Sequence, residues 1–297
     1  MTTNTNTRYF DLHAEISGFF QRPRQLACKG KPTYVGFLAV RPHPQDPAKV
    51  AYTYFDLKVL CPEALKQIQT ITDQVGSGKQ VAARILISDL YIDPYDFLNP
   101  ETKQVEKRTL VKGRLIKMLS PIELSNKRDA LDVLTRLGGI AVRGAGYLND
   151  VRDLGNRTVS TINAMHGEPE LDGQKMKWAQ TRFSLAVPAE IKPYIDFLRT
   201  GVMNQQSVFV SFKAENFFID SFQIKKGVRA GETIHFLNGG LTKLSMASVA
   251  GERVDFAKIL NTASGTTETQ PEMTESMAPD AEQQDVHDEG EYLPAAA

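Results

Sequence analysis

The 297-residue sequence lacks most features of membrane and secreted proteins. Its only cysteines, Cys28 and Cys61, are spaced like neither a metal site nor a redox pair, so we expect both to be reduced and buried. No apolar run approaches the roughly 20 residues of a membrane span, and the polar residues 2–7 do not form a signal peptide. We therefore expect a cytoplasmic protein with no membrane partner.

Motifs of catalysis are also missing. There is no HExxH pair, no GxxxxGK[ST] loop and no strand-linked GxGxxG, and the acidic residues do not form a convergent cluster. The histidines are scattered, so each is expected to be an ordinary surface or hydrogen-bonded residue. They are His13, His43, His166, His235 and His287. The sequence predicts no enzyme, no metal and no cofactor.

What the sequence does contain is a long internal repeat. Four segments recur in order at an offset that drifts only from 128 to 126 residues. The pairs are 18–26 with 146–154, 55–59 with 183–187, 90–93 with 217–220, and 113–118 with 239–244. Solenoid units repeat every 20 to 50 residues or so, which makes this period a duplicated domain. A repeated surface suits a repetitive partner.

The charge is unevenly distributed although the net charge is zero. Residues 262–297 hold nine of the 35 acidic residues and none of the 35 basic ones, which leaves the body with a net charge of +9. This layout is expected of a polyanion binder whose tail competes with its ligand, or of a protein with a merely solubilising tail. The tail has few apolar residues, and its composition predicts disorder.

Each repeat alternates apolar and polar residues as half-buried strands do. In the third strand, Phe55, Leu57 and Val59 are predicted to point inward, and Tyr52 and Tyr54 outward. Helices are predicted at 62–75 and 188–199, each with proline at its start and glycine at its end. Strand, strand, strand, helix, strand, strand is the order of an OB-fold. An SH3-like barrel would lack the helix, and a βαβ sheet would need more helices.

The predicted fold is therefore mostly β, with two tandem OB-fold-like five-stranded barrels and one helix between strands 3 and 4 of each. The first barrel is expected at 8–122 and the second at 140–261, with the disordered acidic tail at 262–297. A helical connector at 123–139 would begin at a Ser125 cap and end at Gly138.

Single-strand binding requires aromatic rings on which bases stack and cations that follow the backbone, both on one exposed sheet. The outward positions of the predicted strands, and the basic hairpin loops between the fourth and fifth strands of each repeat, supply both. The candidate nucleic-acid contacts are Phe19, Arg22, Arg24, Tyr52, Tyr54, Lys58, Lys107, Arg108, Tyr147, Arg152, Lys175, Lys177, Trp178, Arg182, Lys225 and Lys226. The alternative is that strand aromatics pack in cores, an interpretation that applies above all to Phe19, Phe209 and Phe222, and that the cations are simply solvated.

The N-terminal residues 5–13 (TNTRYFDLH) and 17–22 (SGFFQR) resemble the start of a known family. This is the replication-associated protein family of bacterial integrative and conjugative elements, and the resemblance covers about the first 120 residues. It continues through residues 54–56, 78–81 and 88–91. The resemblance implies carriage on a mobile element, a part in its replication or transfer, and an OB-like fold related to single-stranded DNA-binding proteins. Members are commonly a single unit, so the second copy is a departure.

These observations lead to two hypotheses. In the first, the protein is non-catalytic and binds single-stranded DNA during replication or conjugative transfer, while the acidic tail competes with DNA or recruits partner proteins. In the second, the protein is an adaptor whose barrels bind other proteins. RNA stays open as a ligand because stacking does not distinguish the sugar. The oligomeric state stays open as well.

Overall fold

The computed structural model describes residues 10–21, 24–25, 33–43, 46–76, 80–124, 129–172 and 175–263. In this part of the chain the first repeat forms β1 (His13–Phe20), β2 (Arg24–Gln25), β3 (Thr33–His43), β4 (Asp46–Val59), α1 (Pro62–Gly76), β5 (Gln80–Leu98) and β6 (Val105–Leu124). Strands β1, β3, β4, β6 and β5 are neighbours in that order, and β5 pairs with β1 again to close a five-stranded barrel. Only β4 and β6 run parallel.

The second repeat closes in the same way. Its elements, after the connecting helix α2 (Ala130–Leu137), are β7 (Ile140–Leu154), β8 (Arg157–Asp172), β9 (Lys175–Val187), α3 (Lys192–Met203), β10 (Val208–Gln223), β11 (Thr233–Val249), β12 (Glu252–Arg253) and α4 (Phe256–Ala263). The barrel order is β7, β8, β9, β11, β10 and back to β7, with β9 and β11 parallel. Both barrels have the OB-fold arrangement, with one helix between the third and fourth strands.

In the third strand of each barrel, β4 and β9, buried and outward-pointing residues alternate as the sequence predicted. Phe55 and Leu57 of β4 are fully buried, as are their counterparts Phe183 and Leu185 of β9. The residues between them point away from the barrel interior. The parallel neighbours repeat as well, because Leu57 lies beside Gly113 and Leu185 beside Gly239. The repeat in the sequence is therefore a repeat of register in the fold.

Helix α3 differs from its predicted position. It begins at Lys192 and not at Pro188, because residues 188–191 form a turn in which the Ile191 N–H donates to the Pro188 carbonyl (3.1 Å). It also continues past Gly201, which was predicted to end it. A Cβ on Gly201 would lie 3.0 Å from Val208 Cγ2 and 3.0 Å from Val249 Cγ1. The glycine therefore serves close helix–barrel packing and does not end the helix.

The connector contains a helix, but a shorter one than predicted. Helix α2 begins at Ala130 with Asp129 as its cap, whose side chain accepts from the Asp132 N–H at 2.9 Å. The predicted cap Ser125 lies outside the described residues. Gly138 ends the helix at φ 79°, as predicted. The helix packs on the outside of the first barrel.

The two barrels are joined through their first strands into one twelve-stranded sheet. Strands β1 and β7 pair antiparallel from His13 to Ile16, and Ala14 pairs with Val142, its own counterpart 128 residues later. This pairing gives the molecule an approximate two-fold axis through the Ala14–Val142 pair. One hydrophobic core runs through both barrels. We call the junction between the barrels the seam; across it the rings of Phe55 and Phe217 contact each other, with 6.1 Å between centroids.

Two equivalent residues make different kinds of contact at the seam. Arg41 of β3 places its guanidinium 4.4 Å from the centre of the Phe218 ring on β10. Its counterpart His166 of β8 places Nδ1 3.8 Å from Oδ1 of Asp89 on β5, and Asp89 also pairs with Arg114. Burial lowers the pKa of His166, while Asp89 acts in the opposite direction. One half of the seam therefore contains an imidazole whose pKa is lowered by burial, and the other contains a guanidinium that keeps its charge.

The C-terminal end of the described chain contains one element that was not predicted. Helix α4 includes residues 262 and 263, which were assigned to the tail, and Phe256 packs its ring against Tyr194 at 4.9 Å. Residues 264–297 lie outside the described residues, so the disorder of the acidic tail stays a prediction, as do the domain limits. None of the described helices has the length and apolar character needed to cross a membrane.

Candidate nucleic-acid interface

The outer surface of the first barrel carries tyrosines and cations on four adjacent strands. Two rows of paired residues cross these strands. One row consists of Tyr34, Lys58 and Arg114, and the other of Asp56, Lys112 and Tyr91. Neighbouring strands lie about 4.8 Å apart, so side chains in such rows are in reach of one another. We call this surface the first face; it consists of Tyr34, Tyr52, Tyr54, Lys58, Tyr91, Lys112 and Arg114.

Three tyrosines of the first face are open to solvent. The exposed fraction is 43% for Tyr52, 39% for Tyr54 and 43% for Tyr91. Tyr54 leans over Gly36 of the neighbouring strand, where a Cβ would collide with the Tyr54 hydroxyl and lie 3.1 Å from its Cζ. Because glycine leaves this space free, the tyrosine ring lies along the sheet with one side exposed. Such a ring is suited to stacking with a planar ligand.

The cations of the first face are partly balanced by carboxylates. Lys112 Nζ lies 2.5 Å from Asp93 Oδ2, and this hydrogen bond raises the pKa of Lys112. Arg114 pairs with Asp89. Burial raises the pKa of the neighbouring Tyr91, which keeps its phenol neutral at physiological pH. Lys58 has no carboxylate partner among the residues that the structure describes, so it is the cation most available to a phosphate.

The hairpin of β5 and β6 extends beyond the first face, and the residues predicted in its loop, Lys107 and Arg108, lie on β6. Its two predicted contacts differ. The Arg108 guanidinium stacks 3.7 Å from the Phe97 ring centre and pairs with Glu106 at 2.9 Å. Lys107 is exposed. Since Arg108 is already engaged twice within its own hairpin, Lys107 is the better candidate of the two for a phosphate contact.

The second barrel has a different aromatic surface. Tyr147 of β7 and Phe209 of β10 are cross-strand partners whose rings meet at 5.3 Å. Phe10, which precedes β1, places its ring 4.8 Å from Trp178 and 5.9 Å from Phe209. Trp178 is half-buried beneath this contact and is less open than its position in β9 predicted. Phe10 was not among the predicted site residues.

Beside this aromatic surface lies a shallow groove of about 260 Å³. Its lining combines two arginines with apolar and hydroxyl side chains: Arg152, Leu154, Val159, Thr161, Arg182, Ser184, Phe222 and Phe236. The Arg182 guanidinium lies 5.9 Å from the Phe222 ring centre, and Arg152 pairs with Asp150. The predicted residues Arg152 and Arg182 therefore share one site, which we call the second groove.

Other predicted contacts are not part of either surface. Phe19 is wrong as a base platform, because it is only 1% exposed and packs with Val40 and Ala82 beneath Val133 of α2. Lys225 and Lys226 are exposed in the turn between β10 and β11.

Several predicted contacts have no described side chain. Arg22 lies outside the described residues. The backbones of Arg24, Lys175 and Lys177 belong to β2 and β9, but their side chains are not described. Their roles stay predictions.

Sequence reasoning missed part of the first face. Tyr34, Lys112 and Arg114 all lie on strands with clear alternation, in the runs 34–37 and 111–115. Their outward position could therefore have been predicted from the alternation of inward and outward residues along a strand. What the sequence did not provide was the order of the strands, which places β6 beside β4 and so brings Arg114 next to Lys58.

Comparison with known proteins identifies the family. Residues 3–125 and 139–259 each match the model of a family described as "Protein of unknown function (DUF3577)". The chain belongs to this family and contains its unit twice, which confirms the duplication. The resemblance to the replication-associated family of integrative and conjugative elements stays a prediction. No curated protein matches the chain.

Two solved structures with a loosely similar shape are those of the single-stranded DNA binding protein from Thermus aquaticus. The wild-type protein aligns with a TM-score of 0.40 and 10% identity over 80% of this chain and 91% of that one. A deletion mutant of it aligns with a TM-score of 0.39 and 10% identity over 80% of this chain and 93% of that one. Similarity this loose supports no inference about function.

Proposed function

We propose that this protein binds single-stranded DNA with little sequence preference, without catalysing a reaction, and that the first face is the principal contact. The observation that carries the proposal is that Tyr52, Tyr54 and Tyr91 are all exposed on the surface of the first barrel that also carries Lys58. Every base has a π-face, so a row of exposed rings binds single strands without reading sequence. Each stacked base contributes about 1–3 kcal/mol, and two or three tyrosines would therefore give useful affinity.

The electrostatic part of binding should be modest. The body carries a net charge of +9, and the cations Lys112 and Arg114 are already paired with carboxylates. Lys58 and Lys107 are then the main phosphate contacts. For single strands, the logarithm of affinity falls with the logarithm of salt with a slope of about −0.7 per neutralised phosphate. We expect a clear but shallow salt dependence.

The biological setting that we propose is the replication or conjugative transfer of a mobile genetic element in the cytoplasm. Its support is the resemblance of residues 5–13 and 17–22 to the replication-associated family. The acidic tail would compete with DNA for the basic body or recruit partner proteins. An adaptor function is the competing proposal; it requires the tyrosines of the first face to bind protein.

The test is a titration of fluorescein-labelled oligo-dT with the full chain, followed by anisotropy at low and high salt. The double variant Tyr52→Ala/Tyr54→Ala should bind about a hundredfold more weakly, since two stacking contacts are lost. Phe197→Ala is the matched control, because Phe197 is equally exposed but lies on α3. A wild-type chain that binds neither oligo-dT nor oligo-U would overturn the proposal and favour the adaptor.

A further inference from the structure

Tyr147, Phe209 and Trp178 form a cluster on the second barrel. Among the described residues the side chain that lies over it is Phe10, which precedes β1 and contacts Phe209 and Trp178. The ring of Phe10 stands edge-on to Trp178, with an angle of 87° between the planes. One backbone hydrogen bond holds Phe10 in place, from the Gly167 N–H to the Phe10 carbonyl at 3.1 Å. We call the three covered residues the aromatic patch.

The first barrel shows what a permanent cover at this place looks like. Phe19 is the counterpart of Tyr147, and helix α2 seals it with the buried residues Val133 and Leu137. The Leu137 carbonyl accepts hydrogen bonds from Ser17 Oγ and from Arg84 Nη1, each at 2.9 Å. Under this cover Phe19 is almost inaccessible.

The cover of the second barrel is much lighter. Tyr147 keeps 38% of its surface exposed even with Phe10 in place. Both covers come from the segment that precedes the first strand of the opposite barrel, since α2 leads into β7 and Phe10 leads into β1. The two covers are therefore related by the approximate two-fold axis, but only α2 packs as part of a hydrophobic core.

The covered patch also continues into a cationic surface. Cross-strand register places Asn163 beside Tyr147, and Arg182 beside Asn163. Arg182 also belongs to the second groove, where its guanidinium lies 5.9 Å from the Phe222 ring centre, so Arg182 stands between the aromatic patch and Phe222. Rings that flank a cation are the arrangement that binds bases and a phosphate of a single strand together.

We propose that the aromatic patch is a second base-stacking site, in which Phe10 takes the place of a nucleobase until a single strand displaces it. This inference rests on the proposed function. The ring of Phe10 meets Trp178 edge-on and occupies the space that a stacked base would fill. Within the described residues it is held there by one backbone hydrogen bond and two ring contacts, which a strand can replace. Binding at the first face raises the local concentration of the same strand near the second barrel.

The decisive experiment uses Trp178 as a reporter, since it is the only tryptophan of the chain. Full-length protein carrying Tyr52→Ala/Tyr54→Ala, with and without Phe10→Ala, is titrated with oligo-dT while tryptophan fluorescence and anisotropy are recorded. Phe10→Ala should raise the affinity of the double-tyrosine variant for oligo-dT about tenfold, because a base then no longer has to displace the Phe10 ring. It should also deepen the quenching of Trp178. Phe197→Ala in the same background is the control.

A second variant keeps the proposal testable if Phe10→Ala disturbs folding. Tyr147→Ala, which removes an exposed ring of the patch and leaves Phe10 in place, should weaken oligo-dT binding of the double-tyrosine background about tenfold. Oligo-dT that binds the wild-type chain with no effect of Phe10 or Tyr147 overturns the second site alone. Absence of binding by the wild-type chain overturns the proposed function and this inference with it.

Discussion

Phe19 and Tyr147 hold equivalent positions on the first strands of the two barrels, yet one is core and the other is surface. Around Phe19 the chain packs a helix whose end is held by Ser17 and Arg84. Around Tyr147 it places one phenylalanine ring. The open aromatic residues of the first barrel are instead on β4 and β5, and Tyr54 lies in the same cross-strand row as Phe19, with Leu38 of β3 between them. Two copies of one fold thus keep different parts of their surface available.

The interior of the two copies differs far less than their surface. Phe55 and Phe183 occupy the same register, and so do Gly113 and Gly239. Closing a five-stranded barrel fixes which residues point inward, because a shift by one residue would turn every side chain to the other side. The outward positions carry no such constraint. A duplicated fold can therefore hold one open and one covered binding surface without any change of strand order.

The strongest test of the shared interior concerns two glycines. Gly18→Ala and Gly146→Ala should each lower the free energy of unfolding by about 3 kcal/mol or more, to a similar extent in both barrels. A Cβ at Gly18 would lie 2.7 Å from the Ala39 Cα, and at Gly146 2.6 Å from the Ala164 Cα, so backbone would have to move. Urea denaturation of each variant measures the effect.

Gly240→Ala is the control for these substitutions, because the nearest atom to its added Cβ, the Glu215 carbonyl oxygen, is 3.9 Å away. It should change the urea midpoint little. A large loss for Gly18→Ala with none for Gly146→Ala would mean that the second barrel relaxes where the first cannot, and the equivalence of the interiors would be lost.

The next test compares the two surfaces. Phe222→Ala/Arg182→Ala in the second groove should weaken oligo-dT binding by tenfold or less, against about a hundredfold for Tyr52→Ala/Tyr54→Ala. The reason is that the tyrosines of the first face are open, whereas the neighbouring patch of the second barrel is covered by Phe10. Anisotropy with a short oligo-dT measures both. Equal losses for the two pairs would show that both barrels bind from the start.

The sequence predicted the duplication, the barrel type and the outward alternation of β4, because each depends on local period and spacing. It failed where contacts come from distant segments. Phe19 and Tyr147 look alike in sequence, and only the packing of α2 and Phe10 makes one of them core. Gly201 looked like a helix stop, but its contacts with Val208 and Val249 lie in the tertiary fold. The pairing of β4 with β6, which completes the first face, is also non-local.

A smaller effect should distinguish the cations of the two surfaces. Lys58→Ala should reduce the slope of log affinity against log salt by about 0.7, as expected for the loss of one phosphate contact to a single strand. Arg182→Ala should leave the slope of the wild-type chain nearly unchanged while Phe10 covers the neighbouring patch. Oligo-dT titrations at four salt concentrations check this. A larger change for Arg182→Ala would reverse the order of the two surfaces.

The smallest expected effect concerns the seam, where Arg41 and His166 stand in equivalent places. Burial lowers the pKa of His166 below its ordinary value of 6.5, so the imidazole is neutral in the folded protein. The unfolded chain then takes up this proton more readily than the folded one. The stability that depends on the neutral ring is present above about pH 6.5 and is lost as the pH falls toward the lowered pKa.

His166 Nε2 lies 3.2 Å from Thr181 Oγ1. His166→Gln should therefore flatten the decline of the urea midpoint between pH 7 and about pH 5, because glutamine can bond to Thr181 without titrating. Arg41→Lys is the comparison on the other half of the seam; it keeps its charge over this range and should preserve the wild-type decline. If both variants kept that decline, the pH dependence would arise from carboxylates elsewhere. If Arg41→Lys alone removed the decline, the assignment of the pH dependence to His166 would be wrong, because the decline would then depend on a group whose charge does not change over this range.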